Sequence, residues 1–147
     1  MISFKLDTRA AQKIMNSLER GLNDFKPVLK QASQYQLGKV EQQFGSEGET
    51  ITGKWKELQQ KTIKQRIAAG YGPGPILTAS GKLRKSVKQE KLTPTELRIG
   101  SKNAYFKYHQ LGTSKMPQRQ ILGHSREMTD KVVDIAQKYV TNLLRNG

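Results

Sequence analysis

Six apolar residues, Met15, Leu18, Leu22, Phe25, Leu29 and Ala32, follow one another at alternating steps of three and four, which places them on one stripe of an α-helix. Gly21 and Pro27 fall inside that stretch. A proline in a helix interior removes an amide donor and collides with the preceding turn, so the helix must bend or break there. The spacing therefore predicts either a long N-terminal helix kinked near Asn23–Asp24 or two helices meeting there, the second piece running through Leu37 and Val40 to Phe44. The stripe is expected to pack into a core. Upstream, Ile2, Phe4 and Leu6 alternate with polar residues as in a short half-buried strand, and Asp7 is placed to cap the first helical turn.

At the other end, Ser125 is positioned to cap a second long helix whose inner face is Met128, Val132, Ile135, Ala136, Tyr139 and Leu143. Its outer face carries Glu127–Lys131 and Asp134–Lys138, acid-before-base pairs one helical turn apart. Between the two helical ends the pattern changes. Gly45 to Gly53 is a polar turn-rich loop, and a short helix is expected from Glu57 to Ala69 on Leu58, Ile63 and Ile67. Residues 70–75 alternate glycine and proline around Tyr71; Pro73 and Pro75 have no N–H to offer an anion, which excludes a phosphate cradle. Ser86–Leu92 and Glu96–Gly100 look like two strands joined by Thr93-Pro94-Thr95. Tyr105 to Leu111 is a short aromatic segment, and Ile121-Leu122 is a further candidate strand. The whole predicts one α+β domain over residues 1–147: a small antiparallel β-sheet packed with a long kinked N-terminal helix and a C-terminal helix. At 35% apolar composition the core must be economical, and a partner subunit is one way of completing it.

Charge narrows the function. The chain of 147 residues carries 26 Lys+Arg against 12 Asp+Glu, a formal net charge of +14. The excess is uneven: net +1 over residues 1–53, +8 over 54–91 and +5 over 92–147. Lys82, Arg84, Lys85 and Lys88 form the densest group. Such a field attracts polyanions, so the stretch reads either as a surface lying along DNA or an acidic partner, or as a solvated face that keeps the protein soluble. No recognition-helix motif or aromatic interleaving points to sequence reading.

Catalytic signals are lacking. There is no cysteine, hence no disulfide scaffold, thiolate metal site or cysteine nucleophile. His109 and His124 lack a metal-ligand spacing, and His109, between Tyr108 and Gln110, is expected to be a hydrogen-bonded structural imidazole. The carboxylates are scattered, unlike the converging set of a two-metal nuclease. Ser80-Gly81 lacks the flanking glycines of a nucleophile elbow. The reading is a protein that is not an enzyme and needs no cofactor or metal. No apolar run approaches the ~20 residues of a membrane span, and the N-terminus lacks a signal-peptide core, so a soluble protein made inside the cell is expected.

One succession of segments resembles a known family. In order these are Gly53-Lys54-Trp55-Lys56-Glu57-Leu58; Ile76-Leu77 with Ser80-Gly81-Lys82-Leu83-Arg84-Lys85-Ser86; Ile99-Gly100-Ser101; Tyr105 through His109-Gln110-Leu111-Gly112; and Pro117-Gln118-Arg119-Gln120-Ile121-Leu122-Gly123. Over about residues 53–124 this is similar to the virion morphogenesis (tail completion) family of Mu-like and related tailed phages and prophages. Leu111 stands where that family tends to have Phe, Gln120 where it often has Pro, and Glu57 where Pro is common. The resemblance implies a structural protein of the virion, assembled in the host cytoplasm, acting at the head–tail junction or tail end. It also implies partners among other tail or connector proteins and a homo-oligomeric ring, whose passage for the genome would give the basic stretch a use against DNA backbone. The alternative is a basic nucleic-acid-binding module that contacts phosphates without sequence specificity.

The motif residues also have a reading of their own. Trp55 should bury its ring and find a partner for its indole N–H. Ser80-Gly81 should punctuate the chain before a helical turn that docks Leu83, and Leu58 is likewise read as architecture. Gly100 and Gly112 should adopt angles that larger residues resist. Pro117 and Arg119 should fix the approach of Ile121-Leu122, with Arg119 on a carboxylate or a carbonyl. Tyr105, His109, Gln110, Leu122 and Gly123 complete the set, read as architecture.

Overall fold

The computed structural model describes residues 9–146. The predicted kink is a complete break: α1 (Arg9–Asn23) and α2 (Lys26–Gly45) meet at Asp24 and Phe25. Pro27 sits in the first turn of α2, where its missing N–H forfeits no helical hydrogen bond. The corner is held from three directions. Asp24 Oδ1 accepts from the Lys26 amide at 3.0 Å, and the Phe25 amide donates to the Pro94 carbonyl at 3.0 Å. The Tyr139 hydroxyl donates to the Asp24 carbonyl at 2.8 Å and lies 3.3 Å from that of Gly21. Its ring stands 5.7 Å from that of Phe25.

Tyr139 belongs to α6 (Arg126–Asn146), which lies against both α1 and α2. Ser125 caps it as the sequence predicts, its hydroxyl accepting from the Met128 amide at 3.2 Å. Met128 and Ile135 are buried, and Val132, Ala136, Tyr139 and Leu143 are half-buried, so the predicted inner face is the observed one. The outer face differs in part. Asp134 pairs with Lys138 at 3.0 Å, but Glu127 reaches across to Lys39 of α2 at 2.8 Å. The N-terminal stripe also divides. Ala32 on α2 is buried and Leu18, Phe25 and Leu29 are half-buried, whereas Met15 and Leu22 on α1 are 62% and 46% exposed. The reason is that among the described residues α6 is the main element laid against α1, with the side chain of Leu143 packed on the bare Gly21. The expected strand over Ile2–Leu6 and the Asp7 cap lie outside the described residues.

The two predicted strands pair. β1 (Val87–Leu92) and β2 (Leu97–Ser101) form an antiparallel hairpin running from Val87 opposite Ser101 to Leu92 opposite Leu97, with a bulge at Glu90. Its turn is locked by the Thr93 amide on the Glu96 carbonyl at 2.8 Å and the Glu96 amide on Thr93 Oγ1 at 2.9 Å. The hairpin packs on α2. The other elements are short: α3 (Gln60–Ala68), α4 (Lys82–Ser86) and α5 (Phe106–Leu111). α3 begins three residues later than the sequence predicts: residues 53–59 are irregular chain, with Trp55 buried in the core and Leu58 packed against it. Tyr105–Leu111 folds largely as helix α5. Ile121-Leu122 is not a strand; both amides bond to a side chain, as described below.

The core is Val40 and Phe44 from α2, Trp55, Ile76 and Ile121, with Leu58, Leu77, Leu83, Val87, Phe106 and Leu122 packed around it. Most of it comes from loops, so its position depends on what fixes them. Gly48 has φ +103°, and a Cβ there would run into the Gly53 carbonyl and the Trp55 ring. Gly38, in the middle of α2, has open space instead. Gly48→Ala is expected to lower unfolding free energy by at least ~2 kcal/mol, whereas Gly38→Ala should raise it by up to ~1 kcal/mol. Denaturant melts of the two variants check the contrast.

Candidate functional site

Several of the family-pattern residues, Trp55, Gln110 and Gly112 among them, meet one short segment, 117–123, and the side chains that hold it come from far along the chain. The Gln120 carbonyl sits at the centre. It accepts from Trp55 Nε1 at 2.9 Å and Gln43 Nε2 at 3.0 Å, and Thr52 Oγ1 lies 3.3 Å away. Gln43 does more: its Nε2 also reaches Thr52 Oγ1 at 2.7 Å, and its Oε1 accepts from the Ile51 amide at 2.9 Å. The Trp55 ring meets the edge of Phe44 at 5.8 Å and 84°. Loop 45–53 is thereby tied to α2 on one side and to segment 117–123 on the other. Glu47 adds a third tie, its backbone carbonyl accepting from the Trp55 amide at 2.7 Å and its carboxylate from the Ile76 amide at 3.3 Å.

Gln110 holds the other flank of the segment. Its Oε1 accepts from both the Ile121 and Leu122 amides at 2.9 Å, and its Nε2 donates to the Leu122 carbonyl at 2.8 Å. One side chain thus satisfies backbone that a neighbouring strand would otherwise pair, which is why no strand forms. Arg119 takes the carbonyl alternative: buried at 6% exposure, it donates to Lys56 O at 2.8 Å and Glu57 O at 3.1 Å. These bonds fix the backbone at Lys56 and Glu57, just ahead of α3. Burial lowers the guanidinium below its ordinary value, yet far above neutrality arginine stays charged. The Arg119 amide reaches the His109 carbonyl at 2.8 Å. Gly112, at φ +73°, makes the close approach possible, since a Cβ would stand 2.9 Å from the Gln118 amide. Gly123 packs as closely on Thr52.

Other expectations meet mixed outcomes. Ser80-Gly81 precedes α4, Gly81 takes φ +76°, and Leu83 docks on the core. Gly100 keeps ordinary strand geometry, contrary to the special backbone expected of it; its bare face lies beneath the Glu90 side chain at the bulge. His109 is not hydrogen-bonded through Nδ1, which is buried without a partner. Burial, and then the nearby Arg119 charge, push its imidazole below 6.5. Tyr105 is 68% exposed and Pro117 half-buried at the edge of an open cleft. Of the basic group, Lys82, Lys85 and Lys88 are exposed, but Arg84 is committed: its Nε bonds to Glu41 Oε1 at 2.7 Å and its guanidinium lies 5.9 Å from the Phe44 ring centre.

The sequence reading missed Gln43, Glu47 and Gln120. Gln43 had a signal: it lies three residues after Val40, on the buried side of α2, so a polar residue there had to find partners inside. Among the described residues no group of three or more His, Asp or Glu is placed to hold a metal ion, and no helix is long and apolar enough to cross a membrane. The arrangement joins loops; its chemistry is hydrogen bonding to backbone.

Three variants grade the junction. Trp55→Phe keeps a ring and leaves the Gln120 carbonyl with other donors, so a loss of only ~1 kcal/mol is expected, plus a small packing change. Gln110→Ala strands the Ile121 and Leu122 amides, while the Leu122 carbonyl keeps Gln120 Nε2 at 2.9 Å, and should cost ~2 kcal/mol or more. His109 binds its proton more weakly folded than unfolded, so stability falls as pH drops through about 6.5. His109→Gln should flatten that fall, read by thermal melts between neutral and mildly acidic buffer.

A family model described as the phage virion morphogenesis family matches residues 6–141. The chain is also 28% identical to the Mu-like prophage FluMu G protein 1 of Haemophilus influenzae (strain KW20 / Rd) over 144 residues, covering 97% of each chain. No solved structure matches at comparable strength. The match spans α1, α2, most of α6 and every segment that meets at the Gln120 junction, and on that basis the chain belongs to the phage virion morphogenesis family.

Proposed function

We propose that this chain is a non-enzymatic structural subunit of tailed-phage or prophage assembly, acting at the head–tail junction or tail end as a tail-completion or connector protein. The observation that carries the reading is where the family-pattern residues lie. Trp55, Gln110, Gly112, Arg119 and Gly123 hold loop to loop inside the chain, and they leave an outer surface of exposed lysines and apolar side chains such as Leu111, at 73% exposure. A fold organised in this way presents a fixed shape to neighbours. In the proposed arrangement the 147-residue chain acts as one unit, copies close into a ring by head-to-tail contacts, and the ring is built into the virion in the host cytoplasm. The outward Met15 and Leu22 of α1 are apolar area available for such contacts.

Lys82, Lys85 and Lys88 are proposed to face either DNA backbone or an acidic neighbour; Arg84 is set aside because it is paired with Glu41. Their exposure also supports the second reading, a basic module that binds nucleic acid without reading sequence.

Deleting the gene from an inducible prophage that carries it is expected to yield separate heads and tails, or tails with unfinished ends, under the electron microscope, with infectivity restored by the gene in trans. Normal infectious particles from the deletion would contradict the assembly role. Lys82→Glu, Lys85→Glu and Lys88→Glu together should reduce the yield of infectious particles while the purified chain remains folded. If the purified chain binds duplex DNA through these lysines, its log K against log salt should flatten by ~3 in the triple variant; an unchanged slope removes them from DNA contact.

A further inference from the structure

Residues 56–59, α3, the 77–83 segment and the 103–119 segment enclose an open cleft of about 490 Å3. Leu58, Leu77, Leu83, Met116 and Pro117 give it an apolar lining. Lys56, Arg66, Lys82 and Lys115 stand around them, and Glu57 is the one acid among the lining residues. Lys56, Lys82 and Lys115 are exposed. Arg119 also lines the cleft, but its guanidinium is already bonded to the Lys56 and Glu57 carbonyls. The walls hold two buried nitrogens without a hydrogen-bond partner, Arg66 Nε and His109 Nδ1.

The occupant that suits this cleft has an apolar group for the interior and carboxylates for the surround. A second copy of the chain is a poor source. Glu41, Glu96, Glu127 and Asp134 are each paired with a base, and Asp24 and Glu47 accept from backbone amides. The remaining acids of the described chain are scattered, with no acid-rich segment among them. A nucleic acid would satisfy the lysines but leave the aliphatic lining unused, and among the lining residues only Tyr105 and the half-buried His109 carry aromatic rings.

We infer that the cleft is a docking site for an acidic peptide segment of a different protein, anchored by a large apolar side chain on Leu58, Leu77 and Leu83 and by carboxylates on Lys56, Lys82 and Lys115. Charge complementarity sets the partner and the apolar anchor sets the register. The inference rests on the assembly reading only in taking the ligand from another protein; the cleft's chemistry is independent of where that protein sits.

Selection from a library of random displayed dodecapeptides on the immobilised full chain tests it. Enriched peptides should carry several Asp or Glu around one Leu, Ile or Phe. Synthetic copies should bind by fluorescence anisotropy and lose at least about tenfold in affinity to the Lys56→Glu/Lys115→Glu variant. The charge-matched Lys30→Glu/Lys131→Glu variant, reversed on α2 and α6 away from the cleft, should keep its affinity. Neutral or basic peptides, no enrichment, or equal loss in both variants would overturn the proposal. So would a fluorescent oligothymidylate that binds and loses affinity only in the cleft variant, which would assign the cleft to nucleic acid. Particle yield does not enter this measurement, so the docking site and the assembly role fail separately.

Discussion

A single backbone carbonyl, that of Gln120, limits how the rest of the chain can be arranged. Donors from Trp55 and Gln43 reach it within 3.0 Å, and each of those side chains is itself buried. A buried polar group without a partner costs ~1–3 kcal/mol, so moving loop 45–53 or segment 117–123 away would strand several groups at once. Small apolar area makes this matter. With a core of five buried residues drawn largely from loops, burial alone would not select one loop geometry, and the hydrogen bonds do.

The same logic separates the molecule into a fixed interior and an available exterior. Positive charge that touches the interior is used there: Arg119 on two carbonyls, Arg84 on Glu41 beside Phe44. Among the described residues every lysine except the half-buried Lys39 is exposed. That division fits a family of virion morphogenesis proteins.

The helices and hairpin were legible in the sequence because their signals are periodic and local. Pro27 and Gly21 marked the break, Ser125 the cap, and Thr93-Pro94-Thr95 the turn. The start of α3, the fate of Ile121-Leu122 and the exposure of Met15 and Leu22 were not legible, since each is decided by something distant. Arg119 sets the first, Gln110 the second, and the way α6 lies across α1 the third. Of the junction, the family resemblance supplied Trp55, Gln110 and Arg119 as residues without saying what they touch. Gln43 was missed because a glutamine in a helix normally faces water; only its step from Val40 marked it. The cleft combines residues from four separate stretches, and no pattern along one chain reveals such a meeting.

Native-state hydrogen exchange of the Trp55 indole N–H, followed by NMR beside the Phe44 amide of α2, tests most directly whether the Gln120 junction holds the fold. Exchange of both protons only through global unfolding, with equal opening free energies, is the predicted result. Fast indole exchange through a local opening, while the Phe44 amide stays protected, would show that the loops come away from the helices at little cost and that the junction is not what fixes them.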